Sequence, residues 1–286
     1  MFLQKPISRR QLKLGSTCLV FVLMVTATGY LNADVMMTQL ANEGVILSDG
    51  ETRVMIDGMV VESYSVYGGL DETAAAAFGQ ASGAFGGIDL ALSSHRHHDH
   101  NQPAFACQFL QASDETKFVS SPQVLGLMRE KCRQLVTSSP RVKEIVPQYG
   151  EPVTLKHEDV TVTVFPLSHG TRKYAKIQNY GHLVELGGMK VLHIGDAAMD
   201  KADFQKAGLD QIDLDIVLIP FWFFQPGPGA DVISQYLDAP LKFAVHIPPG
   251  EMEEVKAHMD ENFPQVMILE NPLQEVSFSS AAQQGQ

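Results

Sequence analysis

The sequence predicts a layered α/β protein, with sheets inside and helices outside. Three observations predict it. Strand-like runs come early and late in the chain with helix-like runs between them, in two similar batches. Several apolar runs end at loops that carry His or Asp, as expected of strands whose ends share one edge of a sheet. No change of composition marks a linker, so residues 34–278 read as one domain, and no internal repeat is visible.

The elements follow in order. Residues 44–60, G-V-I-L-S-D-G-E-T-R-V-M-I-D-G-M-V, read as two short strands around the turn Asp49-Gly50, because Asp-Gly adopts the left-handed conformations that tight hairpins need. Residues 67–87 are rich in Ala and Gly and read as either a loosely packed helix or a long loop near a site. Residues 88–93, I-D-L-A-L-S, form a buried strand. A helix is expected from 102 to about 112 and a strand over 117–120. Pro122 then opens a helix to about 135, since a first-turn residue needs no N–H. Residues 153–167 are mostly strands, and 180–194 are a further pair around Gly187-Gly188. An apolar run covers 212–223, a strand 242–247, a charged helix 250–262 and a last strand 266–269. The tail 279–286, S-S-A-A-Q-Q-G-Q, lacks the apolar residues to hold a fixed structure.

Residues 1–33 read as an export signal. Lys5, Arg9, Arg10 and Lys13 occur with no acid and precede an apolar run over 14–31, with small residues near Ala27 and Ala33 as cleavage points. The run is about long enough to span a bilayer, so an uncleaved anchor is the alternative. Residues 8–13, S-R-R-Q-L-K, resemble a twin-arginine export signal, with Leu12 where Phe is more typical. Either route leaves the rest outside the cytoplasm, periplasmic or extracellular. The formal net charge is −12, and the body without that segment is four units more negative. Such a surface repels nucleic acid and anionic lipid, so the expected partner is a small-molecule substrate, with membrane contact only through the N-terminal segment. Beyond residue 33 only Cys107 and Cys132 remain; they can pair in an oxidising compartment or stay as buried thiols. Neither belongs to a C-x-x-C pair, which disfavours a thiolate metal site.

The chemistry concentrates in residues 94–101, S-H-R-H-H-D-H-N, which hold four of ten histidines. If this stretch continues a strand, His95 and His97 share a face and can grip one ion. Asp99 and His100 lie past the strand end and can face a second. His98 has the wrong parity and, with Arg96, reads as a passenger. Zinc takes imidazole and carboxylate ligands at about 2.0–2.2 Å, and paired hydrolytic ions stand about 3.5–4 Å apart. More ligands are needed. His169 in F-P-L-S-H-G, Asp196 in V-L-H-I-G-D-A and His246 in F-A-V-H-I-P-P each end an apolar strand at a loop. Gly195 removes a side chain where the backbone is expected to approach the metals. His193 reads as a core or supporting residue, and His157, His182 and His258 as surface residues.

H-x-H-x-D-H, a distant His, then G-D, then a last His, with an early strand ending I-D-G at Asp57, resembles the metallo-β-lactamase superfamily over about residues 42–270. The resemblance implies a four-layer αββα sandwich with a two-metal site at the loop edges of its sheets. It implies that His95, His97 and His169 hold the first metal, that Asp99, His100 and His246 hold the second, and that Asp196 bridges them. Asp57 would orient the histidine loop. The implied activity is metal-dependent hydrolysis with two Zn2+, whose shared hydroxide attacks an ester, lactone, amide, thioester or phosphodiester. Asp99 and His100 are the expected catalytic residues, with Asp99 orienting the hydroxide and taking a proton. Diiron oxygen-reducing members carry Glu at the position of His97, and true β-lactamases lack the bridging aspartate, so neither activity is expected. A mononuclear-iron persulfide dioxygenase and a non-catalytic exported zinc-binding protein remain as alternatives. Residues 219–229, I-P-F-W-F-F-Q-P-G-P-G, offer Phe221, Trp222, Phe223 and Phe224 either as an apolar wall for an acyl or aromatic group or as packing for a helix. Tyr64 and Tyr67 would cover the other side.

Overall fold

A computed structural model describes residues 34–279. The segment expected to direct export, 1–33, and residues 280–286 of the tail lie outside the described residues. The first batch of elements is β1 (Val35–Gln39), β2 (Val45–Ser48), β3 (Arg53–Ile56), α1 (Glu72–Gly79), β4 (Leu90–Leu92), α2 (Pro103–Ala112), β5 (Lys117–Ser120), α3 (Pro122–Lys131), α4 (Arg133–Ser138) and β6 (Val142–Glu144). The second is β7 (Val153–His157), β8 (Val160–Ser168), β9 (Gln178–Leu186), β10 (Met189–His193), α5 (Lys201–Ala207), β11 (Ile216–Pro220), α6 (Gly229–Tyr236), β12 (Leu241–Val245), α7 (Met252–Asn262), β13 (Val266–Met267) and β14 (Glu275–Phe278).

The strands form two seven-stranded sheets, in the orders β14-β1-β2-β3-β4-β5-β6 and β13-β12-β11-β10-β9-β8-β7. Three cores define the layers. One joins the inner faces of both sheets through Val54, Leu92, Val164, Val191 and Leu218. Another packs α1 to α4 on the first sheet through Phe78, Phe109, Phe118 and Met128. The third packs α5 to α7 on the second sheet through Phe204, Val217, Val232 and Met259. The αββα sandwich is therefore observed. Strands β4 and β11 are buried on both faces, which explains their unbroken apolar sequences.

Local chemistry sets the helix starts. Asp71 accepts from the Ala74 N–H ahead of α1, Ser121 accepts from Val124 N–H ahead of α3, and Pro122 fills the first turn. The Ala/Gly stretch of residues 67–87 is thus part helix, α1, and otherwise loop and turns. The helix expected to run to 135 instead breaks at Cys132, whose non-helical backbone, φ −139° and ψ 59°, separates α3 from α4. Cys132 is bonded there to Cys107 of α2. The elements missed by sequence reading are short or atypical: β1, β6, α5, α6 and β14, the last pairing antiparallel with β1 across the whole chain.

His182 corrects its reading as a surface residue. It lies on β9 opposite His193 of β10, fully buried, and neither ring nitrogen has a hydrogen-bond partner. Burial pushes its pKa down to about 3. His157 and His258 are partly buried, and His258 meets the carbonyl of Phe224. The unfolded His182 titrates near 6.5, so the unfolded chain takes up a proton that the folded chain refuses as pH falls from about 6.5 toward 3. Stability should fall there by up to about 1.4 kcal/mol per pH unit from this residue alone. Urea unfolding at pH 7.5 and 5 should show a smaller loss in His182→Leu than in the original chain, and equal losses would refute the assignment.

Among the described residues no helix is long and apolar enough to cross a membrane.

Candidate metal centre

Strands β3, β4, β5 and β6 pair in parallel, as do β10, β11 and β12. Strand β8 is antiparallel to β9, which is antiparallel to β10, so β8 and β10 point the same way. Asp57 follows β3, the histidine cluster follows β4, His169 follows β8, Asp196 follows β10 and His246 follows β12. All lie just past carboxyl ends of strands, where α/β sheets form crevices.

The cluster is not a continuation of the strand. Strand β4 stops at Leu92, and residues 93–98 are loop. His95 and His97 still converge, but the loop and not the pleat brings them together. His169 Nε2 lies 3.2 Å from His95 Nε2 and 3.1 Å from His97 Nδ1. Asp196 Oδ2 lies 3.3 Å from His169 Nε2. On the other side, His100 Nε2 is 3.0 Å from His246 Nε2, and Asp99 Oδ2 is 3.4 Å from His246 Nε2. Asp196 Oδ1 lies 3.2 Å from each of these two ring nitrogens. One oxygen of Asp196 thus joins each group. His95, His97, His169 and Asp196 form one set able to hold an ion, and Asp99, His100 and His246 another. Four tetrahedral ligands at about 2.0–2.1 Å stand roughly 3.3 Å from one another, so these separations fit zinc.

Supporting contacts fix the loops. Asp57 accepts hydrogen bonds from Ser94 N at 2.6 Å, from Ser94 Oγ and from His100 Nδ1 at 3.0 Å. Gly170 N donates to the Asp196 carbonyl, and Asn179 Oδ1 accepts from Asp196 N. Gly195 has φ +53°, and a Cβ there would meet Asn179 Oδ1 at 2.5 Å and Ser94 Cβ at 2.8 Å. Its small size makes room for these supports rather than for metals. His246 also has a left-handed φ, +63°, which costs a non-glycine residue about a kcal/mol or more and recurs at functional sites.

Electrostatics separates the two groups. Burial drives the His95 imidazole well below the usual histidine range and brings His97 down to about 4. Burial would also lower His100 and His246, but carboxylates outweigh it. Asp196 and Glu43 raise His100 well above its ordinary value, and Asp196 with Asp99 raises His246 to about 10. Burial would raise the carboxyls of Asp57, Asp99 and Asp196. The neighbouring histidines win and hold all three below the usual range.

A cavity of about 560 Å³ opens over the centre, lined by Tyr64, Tyr67, His97, Asp99, Tyr174 and Trp222 among others. Of residues 221–224 only Trp222 lines it. Phe223 and Phe224 are buried and Phe221 packs beside them, because this stretch winds as a tight turn that sends them under the second sheet's helices. The wall expected from four residues is one residue deep. Trp222 and Tyr67 both set ring edges against His246, with centroids 5.0 and 4.4 Å away, and Tyr174 packs on His169 at 4.9 Å. Sequence reading passed over Tyr174, and also Glu43, a buried carboxylate 3.2 Å from His100 Nδ1. Neither stands in a motif. Arg96 and His98 are exposed, and His98 packs on Tyr64 at the cavity rim.

The family model described as beta-lactamase superfamily domain matches residues 66–269. No curated protein matches the sequence. Among solved structures, the chain is similar to YhfI, a metallo-beta-lactamase fold protein from Bacillus subtilis, with TM-score 0.57 and 14% identity over 85% of this chain and 99% of that one. It is similar to Igni18, a metallo hydrolase from Ignicoccus hospitalis, with TM-score 0.54 and 16% identity over 86% and 99%. It is also similar to CmlA, a diiron beta-hydroxylase from Streptomyces venezuelae, with TM-score 0.51 and 16% identity over 86% and 54%. At such identities the likeness is one of fold. The family match covers far more than half of the chain and takes in every residue from His95 to His246, and the chain belongs to the beta-lactamase superfamily, with the metal-dependent hydrolase fold and its His/Asp clusters.

Proposed function

We propose that this chain is a dinuclear zinc hydrolase acting on an ester, lactone or phosphodiester of a small molecule. One observation carries the proposal: Asp196 shares its two oxygens between two complete groups of ligands. His95, His97 and His169 would hold one ion and Asp99, His100 and His246 the other. When bound, the ions would supply a water acidified toward neutral pH and polarise the substrate's carbonyl or phosphoryl oxygen. Asp99 faces the cavity with a carboxyl held ionised, so it can orient the nucleophile and accept its proton. Burial, with Asp196 and Asp99 nearby, keeps the Tyr67 phenol protonated, so it can donate a hydrogen bond to a substrate oxygen. Trp222, Tyr64 and Tyr174 would keep water from the reacting group and favour an acyl or aromatic substituent.

The direct test is metal content and turnover of the purified chain on a panel of esters, lactones and phosphodiesters. Two zincs with turnover support the proposal. Full metal without turnover across the panel would point to a binding protein, and one iron with oxygen consumed on a persulfide would overturn it. Trp222→Ala should raise KM for a phenyl ester about 3–10-fold while leaving KM for a methyl ester and the zinc content unchanged, as expected for one lost aromatic contact. Equal changes for both esters would remove Trp222 from the substrate wall.

We further propose that the protein works outside the cytoplasm. The basic and apolar pattern of residues 1–31 and the bond between Cys107 and Cys132 support that reading.

A further inference from the structure

The turn between β1 and β2, residues 41–44, contains no recognisable motif, yet it reaches several parts of the metal centre. Asn42 Nδ2 donates to the Asp99 carbonyl at 3.0 Å. The Glu43 carbonyl lies 3.2 Å from His193 Nε2, and Glu43 Oε1 lies 3.6 Å from the same nitrogen. Oε1 is also 3.2 Å from His100 Nδ1, beside the hydrogen bond from that nitrogen to Asp57. Gly44 packs so tightly that a Cβ would meet the Asp57 carbonyl oxygen at 2.6 Å. Backbone bonds from Leu40 N to Gly44 O and from Gly44 N to Ala41 O close the turn. Asn42 itself holds a left-handed φ of +56°, so the turn is set in one shape.

Glu43 is the feature that packing does not explain. It is 1% exposed, and neither carboxylate oxygen has a hydrogen-bond partner. A buried carboxylate without such bonds is costly unless a compensating charge stands near it. The centre holds four buried carboxylates, Glu43, Asp57, Asp99 and Asp196, and no lysine or arginine is among the described buried residues. Two divalent ions would match these four acidic groups in charge. Glu43 lies on the His100 side, where it belongs to a group with His100 and Asp196.

We propose that Glu43, carried by the β1–β2 turn, is a positioning residue for the second metal. It fixes His100 from behind the ring and completes the negative charge that a second divalent ion balances. The inference rests on the two-ion reading above. Partners behind metal-bound histidines typically change metal affinity about 10–100-fold when removed.

The test is zinc titration of the metal-stripped chain against a chromophoric competitor. In Glu43→Gln the first equivalent should bind as in the original chain, and the second about 10–100-fold more weakly. Glu43→Asp should recover part of that loss. Asn42→Gly keeps Glu43 and the left-handed backbone of the turn and removes the side-chain bond to the Asp99 loop. It should weaken the second ion by a few-fold, and it serves as the deciding variant if Glu43→Gln does not fold. If the original chain binds two ions and these variants bind both equally well, the inference is overturned and the two-ion reading stands. If the original chain saturates at one ion, both fall.

Discussion

Asp196→Ala should lower kcat/KM at least about 10³-fold and reduce the zinc retained after dialysis from two ions per chain to one or none. The effect is large because this side chain serves both groups at once. Its Oδ2 stands 3.3 Å from His169 Nε2 and its Oδ1 3.2 Å from His100 Nε2 and His246 Nε2. Removing it deletes a ligand atom from each group and the negative charge between them. Metal activation is worth several kcal/mol of transition-state stabilisation, and 1.36 kcal/mol is tenfold in rate, so about 4 kcal/mol gives the stated factor. Asp196→Asn keeps the shape and one oxygen but not the charge, and should fall between the alanine variant and the original chain. Zinc analysis beside initial rates on the best substrate of the panel decides the matter. Two ions with near-normal rates in the alanine variant would remove Asp196 from the bridge.

Much of this site was legible because its parts are local in sequence. His95 to His100 lie within six positions, and each distant partner follows an apolar strand that ends in a loop. What spacing could not give was the mechanism of convergence. Strand parity predicts that His95 and His97 share a face, but β4 ends three residues earlier, and hydrogen bonds from Ser94 to Asp57 shape the loop instead. Long-range placement was also hidden. Glu43 sits 57 positions before His100 and appears in the sequence as an ordinary acid after Asn42. The aromatic run showed the opposite failure. Four adjacent residues gave one apolar signal, but a tight turn points successive side chains in different directions, so Trp222 meets the cavity while Phe223 and Phe224 enter the core. His182 defies its polar character because the strand there is buried on both faces for most of its length.

Zinc loading should be ordered and strongly dependent on pH. In the metal-free chain, burial keeps His95 neutral and puts His97 near 4, so at neutral pH these two rings offer free nitrogens. His246 is raised to about 10 by the carboxylates around it, so it carries a proton at that pH, and the same carboxylates raise His100 well above its ordinary value. The second ion must displace the His246 proton and compete with protonation of His100. A displaced proton makes affinity rise about tenfold per pH unit, so His246 alone should lower the second dissociation constant about 10²-fold between pH 6 and 8, the raised His100 adds to that, and the first should change far less. Calorimetry in two buffers of different ionisation enthalpy should find at least one more proton released in the second step than in the first. Equal release would sink the prediction. The same protons act on stability. A histidine whose folded pKa is raised stabilises the fold fully below its unfolded value near 6.5, and that contribution is lost as pH rises through about 10. The charged rings thus stand in for the missing cation between Asp99, Asp196 and Glu43 at low pH and cease to do so at high pH. Zinc should therefore raise the melting temperature more at pH 8 than at pH 6, because the stabilisation that His246 gives the metal-free chain is already declining above about 6.5 and the ion meets less competition from protons.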